Sequence, residues 1–406
     1  MSQEPQSFKS RLKESIKHNP IYTRAIRPLR VKLNTLIESR LTDEEYFLRR
    51  HKKIFGYTPD FRNPKTFNEK IIHRILFDRS PVYTALADKL KARIYIAATL
   101  YPLYENAIRG GAECNASLDS SLDSSAQPTI QALAKTNLLE PSSPLFAPID
   151  TLESTLFATN ICPYLPKLYG IYKSFDEIDF AHLPQAFAIK TNHDCGGVVL
   201  VPNKQEFLSD QARFEDARSK IQQHLATNFY TLFREWHYKD IEPRVFIEEL
   251  LGASSPANTA PNAESIADSS AKTFENNDFH NKIAQNLESY KAPIDYKCHT
   301  FGDKISHITA ILDKFTNQTE IAMDTNWRKM PFDFEKRASN PPAKPHNLAL
   351  IINIAQSLAS PFSYVRVDLY LIDNTAIVGE LTFTPTGGTE KFTPNEWDRK
   401  LGDLWR

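Results

Sequence analysis

The 406-residue sequence contains no uninterrupted apolar run near the ~18 residues a membrane-spanning helix needs. Its first twenty residues are basic in places but hold no apolar stretch of the kind that precedes a leader cleavage site. A transmembrane helix and a secretory leader are therefore not expected, and a cytoplasmic protein is. The four cysteines, Cys114, Cys162, Cys195 and Cys298, lie far apart and form no CxxC pair. That excludes the spacing of a zinc ribbon or a disulfide framework and favours a reducing compartment. Charge of either sign is not in excess, since 49 Lys and Arg balance 49 Asp and Glu. No global field draws the chain to nucleic acid. GxxxxGK[ST] and GxGxxG are both missing, which removes the P-loop and the dinucleotide fingerprint.

What is present is the composition of a globular chain, 41% hydrophobic and 24% charged, long enough for two or three domains. Residues 1–50 hold eleven Lys or Arg against six Asp or Glu. They read as a solvated N-terminal helix, with peripheral contact to a membrane surface as the alternative. Two stretches look inserted. Residues 107–156 are rich in Ser, Ala and Pro and contain a short near-repeat, and 252–288 begin "GASSPANTAPNAESIADSSA". Both read as long flexible loops with too little apolar periodicity to offset chain entropy.

The remainder mixes helical and strand patterns. Residues 80–100 read as one helix with Lys89 and Arg93 a turn apart, and 346–360 as another. Residues 186–201 read as strand, polar loop and strand, 243–251 as a strand, and 295–313 as a hairpin turning at Gly302-Asp303. In this order they predict an α+β fold with largely antiparallel sheets.

"RVDLYLIDNTAIVGELTF" (366–383) reads as a second hairpin. Alternation puts Val367, Leu369 and Leu371 on one face beside Ile377, Leu381 and Phe383, and leaves Arg366, Asp368, Glu380 and Thr382 on the other. With the turn centred on Asn374, Asp368 faces Glu380 and Arg366 faces Thr382. Directly opposed like charges destabilise a hairpin. A hard divalent cation such as Mg²⁺ would offset the repulsion; a solvated face shielded by Arg366 would account for the same pattern. Lys190 ends an apolar strand before Thr191-Asn192-His193-Asp194-Cys195-Gly196-Gly197. That suits a phosphate grip built on exposed backbone N–H groups, and equally a surface hairpin. In "FIEELL", Glu248 and Glu249 interrupt a strand whose edge at Glu249-Leu250 could face a purine or be an ordinary edge strand. "PKTFNEK" reads either as a turn capping the following helix or as a contact to an acceptor.

Together these phrases resemble the ATP-grasp superfamily, and within it the TupA-like branch. The resemblance rests on "NPKTFNEKI", "ADKLKAR", "LPQAFAIKTNHDCGG", "REWHYKDIEPRVFIEELL", "DYKCHTFGDKI" and "YVRVDLYLIDNTAIVGELTFTPTGG", in that order. It covers nearly everything from about residue 50 to 405 outside the two insertions. It implies two α+β subdomains clasping ATP between antiparallel sheets. The segments would then be a basic arm (1–50), a helical pre-grasp region (51–106), an insertion (107–156), the lid subdomain with its hinge strand (157–251), a second insertion (252–288) and the catalytic subdomain (289–406).

The resemblance also implies roles. Lys89 and Lys190 look like the two phosphate-binding lysines, and the loop ending in Gly196-Gly197 like a flap over the triphosphate. Glu248, Glu249 and Leu250 would surround adenine, Asp295 would meet the ribose and Lys297 the phosphates. Arg366 would hold the transferred phosphoryl group, and Gly387-Gly388 would lie near the reacting carboxylate. Asp368, Glu380 and Thr382 would hold Mg²⁺. ATP-grasp enzymes commonly carry Glu-x-Asn where this chain has Glu380-Leu381-Thr382, a trait of the TupA-like branch. The implied activity is ATP-dependent ligation of a carboxylate to an amine, with a sugar acid and an amino acid as candidate partners in cell-surface polysaccharide assembly. A glycosyltransferase is the first alternative, although no compact Asp-x-Asp occurs in the folded segments. A non-catalytic ATP-binding protein is the second, and it predicts loss of a phosphate lysine or a metal acid that the chain retains. Trp236, Tyr238 and Trp327 read as packing aromatics, and His193 and Cys195 lack the local pattern of a Cys–His nucleophile.

Overall fold

The computed structural model describes residues 33, 36–109, 126–252, 290, 292–314 and 317–406. Most of the basic arm and nearly all of the second insertion lie outside the described residues. Two units are distinguished, 1–60 and 61–406. In the first, the helix Asp43–Phe55 starts on a Thr42/Glu45 capping box and ends at Gly56 in the left-handed region.

The second unit opens with the helix Phe67–Phe77, whose Thr66/Glu69 capping box makes "PKTFNEK" a helix start. The helix expected over 80–100 is two helices, Pro81–Ala87 and Lys89–Arg109. Asp88 breaks them apart with extended backbone (ψ 111°), and its carboxylate accepts from the Leu90 N–H at 2.9 Å and from Asn192 Nδ2 at 2.9 Å. The break holds Lys89 at a helix start beside the loop after the second strand.

The first insertion needs correction. Its described part is folded, with helices Ala126–Ala134 and Glu153–Ala158 joined by short 3₁₀ turns. Ile130, Leu133, Leu145, Ile149, Leu152 and Leu156 are buried in the main core. These apolar residues are spaced irregularly among Pro and Ser, so periodicity conceals a segment that burial stabilises, at about 1.5–3 kcal/mol per large aliphatic side chain.

A four-stranded antiparallel sheet is built from β1 (Leu168–Tyr172), β2 (Phe187–Thr191), β3 (Val198–Val201) and β4 (Val245–Glu249), in the order β1-β4-β2-β3. Phe187, Ile189, Val245 and Ile247 point to one face and pack with Phe207, Ala217 and Ile221 in their own core. Lys190, Phe246 and Glu248 occupy the other face, with Lys190 opposite Phe246 and Glu248 opposite Ala188.

A five-stranded antiparallel sheet contains β5 (Asp295–Phe301), β6 (Lys304–Leu312), β7 (Thr319–Met323), β8 (Val365–Ile372) and β9 (Thr375–Thr382), in the order β7-β6-β5-β8-β9. Tyr296, Cys298, Ile308, Ala310, Val365, Val367 and Leu369 form its apolar face, buried in one core with Ile351, Ile354, Ala355 and Leu358 of the helix Leu348–Ala359. The α+β expectation holds, with two antiparallel sheets.

The last hairpin differs from expectation in one detail. Its turn is the pair Asp373-Asn374, with Ile372 opposite Thr375 and Asp373 at φ 51°. Gly379 is an extra residue in β9, because Leu369 faces Val378 while Asp368 faces Glu380. This bulge reverses the alternation. Ala376 and Val378 therefore join Leu369 and Leu371 on the apolar face, and Ile377, expected there, lies opposite Tyr370 on the other.

Candidate active site

The second face of the five-stranded sheet is polar. Cross-strand register sets Thr309, Lys297, Asp368 and Glu380 in one row, with His307, His299, Arg366 and Thr382 in the next. The opposition of Asp368 to Glu380 and of Arg366 to Thr382 is the one the sequence predicts. Arg366 donates to Asp368 through Nε at 2.6 Å and Nη2 at 2.8 Å, to Glu380 at 3.1 Å and to Thr382 Oγ1 at 3.0 Å. The Thr382 hydroxyl donates to Glu380 Oε1 at 3.1 Å. Lys297 Nζ pairs with Asp368 and, at 3.0 Å, with Asp295.

These contacts set the charge states. Burial opposes the charge on Glu380, but Arg366, Lys297 and Lys89 outweigh it and hold the carboxyl below its ordinary range. Burial wins at Asp368, raising its carboxyl despite Arg366 and Lys297. Two opposed carboxylates thus hold their protons very differently, as expected of like charges forced together.

Asp295 is 1% exposed. Its Oδ2 accepts from Lys314 at 2.9 Å, while its Oδ1 has no partner. Burial opposes its charge, and Lys297 and Lys314 outweigh that and lower its carboxyl. Lys314 also donates to the Tyr370 hydroxyl at 3.0 Å. An ionised, buried oxygen with no donor costs free energy.

On the four-stranded sheet, Lys190 pairs with Glu248, whose other oxygen accepts from Arg93 Nη1 at 3.4 Å. Burial opposes the Lys190 ammonium, and Glu248 outweighs it and raises its pKa; Tyr370 adds to the rise and Lys314 works against it, so the two polar faces lie within electrostatic reach. Glu249 differs from Glu248. It is exposed, its N–H donates to the Lys167 carbonyl at 2.8 Å, and its carboxylate accepts from the Lys167 N–H at 3.2 Å. β4 is an interior strand, so the edge-strand reading of "FIEELL" does not hold; Leu250, just past its end, is buried.

Lys89 is tied to the loop after β2. Its N–H donates to the Asn192 carbonyl at 3.1 Å, and its ammonium donates to the carbonyls of Thr191 (3.3 Å) and Asp194. Asp194 bonds the Thr191 hydroxyl and the His224 ring. Gly196 takes φ 97°, and a Cβ at Gly197 would sit 1.7 Å from Thr191 Oγ1. No side chain fits there. Gly387 and Gly388, at φ 58° and 70°, end the turn that follows β9.

The structure therefore gathers Asp295, Lys297, Arg366, Asp368, Glu380 and Thr382 on one face, and Lys190 with Glu248 on a second. Four participants are missed by sequence reasoning: Arg93 in the clamp on Glu248, Tyr370, Lys314 and Thr384. Arg93 stands one turn beyond Lys89, and Tyr370 follows Asp368 at strand spacing, so both carry a positional signal. Lys314, in a loop, carries none. Thr384 shares the end of the hairpin phrase with no distinguishing residue type, yet it donates to Glu235 and contacts His237 at 3.3 Å.

Among the described residues no group of three or more His, Cys, Asp or Glu is arranged to hold a metal. The donors available are two carboxylates and a hydroxyl, all hard oxygen ligands. That set fits Mg²⁺, which takes one or two protein carboxylates and completes its shell with phosphate and water.

The TupA-like ATP-grasp family model matches residues 159–258 and 269–406, which include all nine strands among the described residues. No curated protein matches the chain. Similar solved structures include the D-alanine–D-alanine ligase of Bacillus anthracis complexed with ATP, 14% identical, with 63% of this chain and 71% of that one covered at a TM-score of 0.31. Another is the L-amino acid ligase of Bacillus licheniformis, 11% identical, with 65% and 55% covered at a TM-score of 0.29. On the strength of the family match, which spans more than half of its length, the chain belongs to the TupA-like ATP-grasp family and is an enzyme of the ATP-grasp ligase type.

Proposed function

We propose that the protein uses Mg-ATP to join a carboxylate, such as that of a sugar acid, to an amine, such as that of an amino acid, in the cytoplasmic assembly of a cell-surface polysaccharide. The observation that carries this reading is the opposition of Asp368 to Glu380 with Arg366 bonded to both. Two acids and a guanidinium on one sheet face suit a triphosphate and its counter-ion, and a carboxylate activated by phosphorylation.

In this reading Lys190 and Lys89 grip phosphates, and the loop through Gly196 and Gly197 closes over them. Glu248, Glu249 and Leu250 lie along the adenine, Asp295 Oδ1 accepts a ribose hydroxyl, and Lys297 lies along the phosphates. Asp368, Glu380 and Thr382 would hold Mg²⁺, which supplies charge neutralisation at the phosphates when bound. Arg366 meets the transferred phosphoryl group. A substrate carboxylate oxygen attacks the γ-phosphorus and ADP leaves; the amine nitrogen then attacks the acyl carbon, phosphate departs, and the amide nitrogen sheds its extra protons. Gly387 and Gly388 lie beside the reacting carboxylate. Preorganised charge and positioning do most of the work.

Thermal melts with Mg-ATP test the nucleotide site, and no shift up to millimolar ATP would count against it. Glu380→Gln should keep the fold and abolish Mg²⁺-dependent turnover. Screening carboxylate and amine pairs for ADP release, against sugar-nucleotide consumption, separates the ligase from a glycosyltransferase. Among the described residues no helix is long and apolar enough to cross a membrane, and a lipid-vesicle sedimentation assay decides whether the basic arm touches one.

A further inference from the structure

The loop after Gly387-Gly388 leads to Glu390, whose backbone is fixed from both sides. Its N–H donates to Asn68 Oδ1 at 2.8 Å, and its carbonyl accepts from Asn68 Nδ2 at 2.8 Å. Asn68 is itself held, its N–H donating to Asp398 Oδ1 at 2.9 Å. The "NEK" of the helix start thus serves to place Glu390.

The Glu390 side chain is half-buried and feels the carboxylate of Glu320 on β7, with Glu335 a weaker neighbour. Neither Glu320 nor Glu390 has an ion-pair partner among the described residues. Of the nearby cations, Lys297 is engaged with Asp368 and Asp295, Arg366 with Asp368 and Glu380, and Lys391 with Glu335 at 3.7 Å. Lys336, whose carbonyl accepts from the Glu320 N–H at 2.8 Å, partly offsets the Glu320 charge without forming an ion pair and leaves the two acids with a net negative charge. Burial and the Glu320 charge push the Glu390 carboxyl up to about 7, and burial also raises that of Glu320.

A second observation is independent of these acids. Thr309 lies on the polar face of β6, opposite Ala322, while its strand neighbour Ile311 is opposite Glu320. Thr309 is therefore the diagonal neighbour of Glu320 on that face, beside a residue with only a methyl group. Thr309 is 3% exposed, and its hydroxyl has no partner. Two positions along the same face, buried His307 likewise has an unpartnered Nε2. Buried polar atoms are ordinarily satisfied, so unfilled ones in a row beside two unpaired carboxylates point to a ligand with donors.

We propose that Glu320, Glu390 and the Thr309 hydroxyl form the subsite for the protonated amine of the acceptor. An ammonium brings one positive charge and three N–H donors, matching two carboxylates and one hydroxyl oxygen. The proposal rests on the ligase reading, in which the Gly387-Gly388 turn adjoins the reacting carboxylate. The ammonium gives one proton to the Glu390 carboxylate, and the neutral nitrogen attacks the acyl carbon. As the carbon–oxygen bond breaks, departing phosphate takes the second proton and the amide remains.

Calorimetry tests this with the non-hydrolysable probe Mg-AMPPNP bound, titrating the twenty common amino acids and glucosamine one by one. The wild type is expected to bind at least one of them. Glu390→Gln and Glu320→Gln should each weaken that binding tenfold or more while changing AMPPNP affinity less than twofold. Both substitutions relieve like-charge repulsion, so the variants should fold, as their melting temperatures will show. Unchanged amine affinity in both variants overturns the subsite, as does a wild type that binds AMPPNP and none of the amines. A wild type that fails to bind AMPPNP overturns the ATP reading instead, and amine binding unaffected by either variant in the absence of nucleotide then overturns the subsite separately.

Discussion

Glu248 is shared between Lys190 and Arg93, one cation on each carboxylate oxygen, in a setting where the acid is 6% and the arginine 3% exposed. The two cations are not equivalent. Arg93 is further committed through Nη2 to the Pro166 carbonyl at 2.6 Å, whereas the Lys190 ammonium bonds Glu248 alone among the described residues. Arg93 holds the acid, and Lys190 can leave it.

Replacing Lys190 with Met should therefore spare the fold, because Glu248 keeps Arg93. Loss of one preorganised charge at the phosphates should lower ATP-dependent turnover by about 10²–10³-fold. ADP-release kinetics beside a thermal melt check both halves.

Glu248→Gln should do the reverse and damage stability first. It strands a buried guanidinium, which costs roughly 3–5 kcal/mol. Urea unfolding monitored by tryptophan fluorescence measures it, and a stability equal to wild type would refute the clamp.

Gly379→Ala probes the bulge in β9. A Cβ there would lie 2.8 Å from Cε2 of Tyr370, whose hydroxyl is bonded to Lys314. The ring must shift, at a cost of about 1–3 kcal/mol. A larger effect on the KM for ATP than on that for the carboxylate is the expected signature.

Ile130→Ala tests the folded part of the first insertion. Ile130 is fully buried, so the cavity should cost about 2–5 kcal/mol. A loss below 0.5 kcal/mol in chemical denaturation would return this segment to the status of a dispensable loop.

Acid should destabilise the protein through His307. Burial holds its imidazole down to about 3, below the ordinary 6.5. The unfolded chain binds the extra proton between those values, so stability is full above pH 6.5 and declines toward pH 3, with a slope of up to about 1.4 kcal/mol per pH unit. His307→Gln should flatten that decline in melts recorded from pH 7 to pH 4.

The polar face was legible in the sequence because strand alternation is local. Arg366, Asp368, Glu380 and Thr382 announce themselves by spacing, and their pairing follows from the turn. The offset at Gly379 escaped because a two-residue turn followed by a bulge, and a turn centred on Asn374, give the same pairing at Asp368. They differ only nearer the turn, where Ile377 changes face. Asp88 shows another limit. Its extended backbone is stabilised by Asn192, over a hundred residues away, so the helix pattern across 80–100 contains no trace of the break. Arg93 and Ile130 likewise depend on distant partners, a carboxylate in β4 and a core assembled from many segments. Lys89 was identified by resemblance, but only the structure shows its ammonium engaged with the backbone of the loop after β2.

The extra residue at Gly379 also makes the hairpin tolerant at its tip. Turn and charged pair are separated by a slip in phase, so the loop at Asp373-Asn374 and the positions of Asp368 and Glu380 answer to different constraints. Removing Gly379 alone would let Glu380 follow Val378 directly and leave it opposite Asp368 on the polar face, in a regular two-residue hairpin. The acids are thus insulated from the loop, and the loop can vary in length and sequence while the chemistry beneath it stays in register.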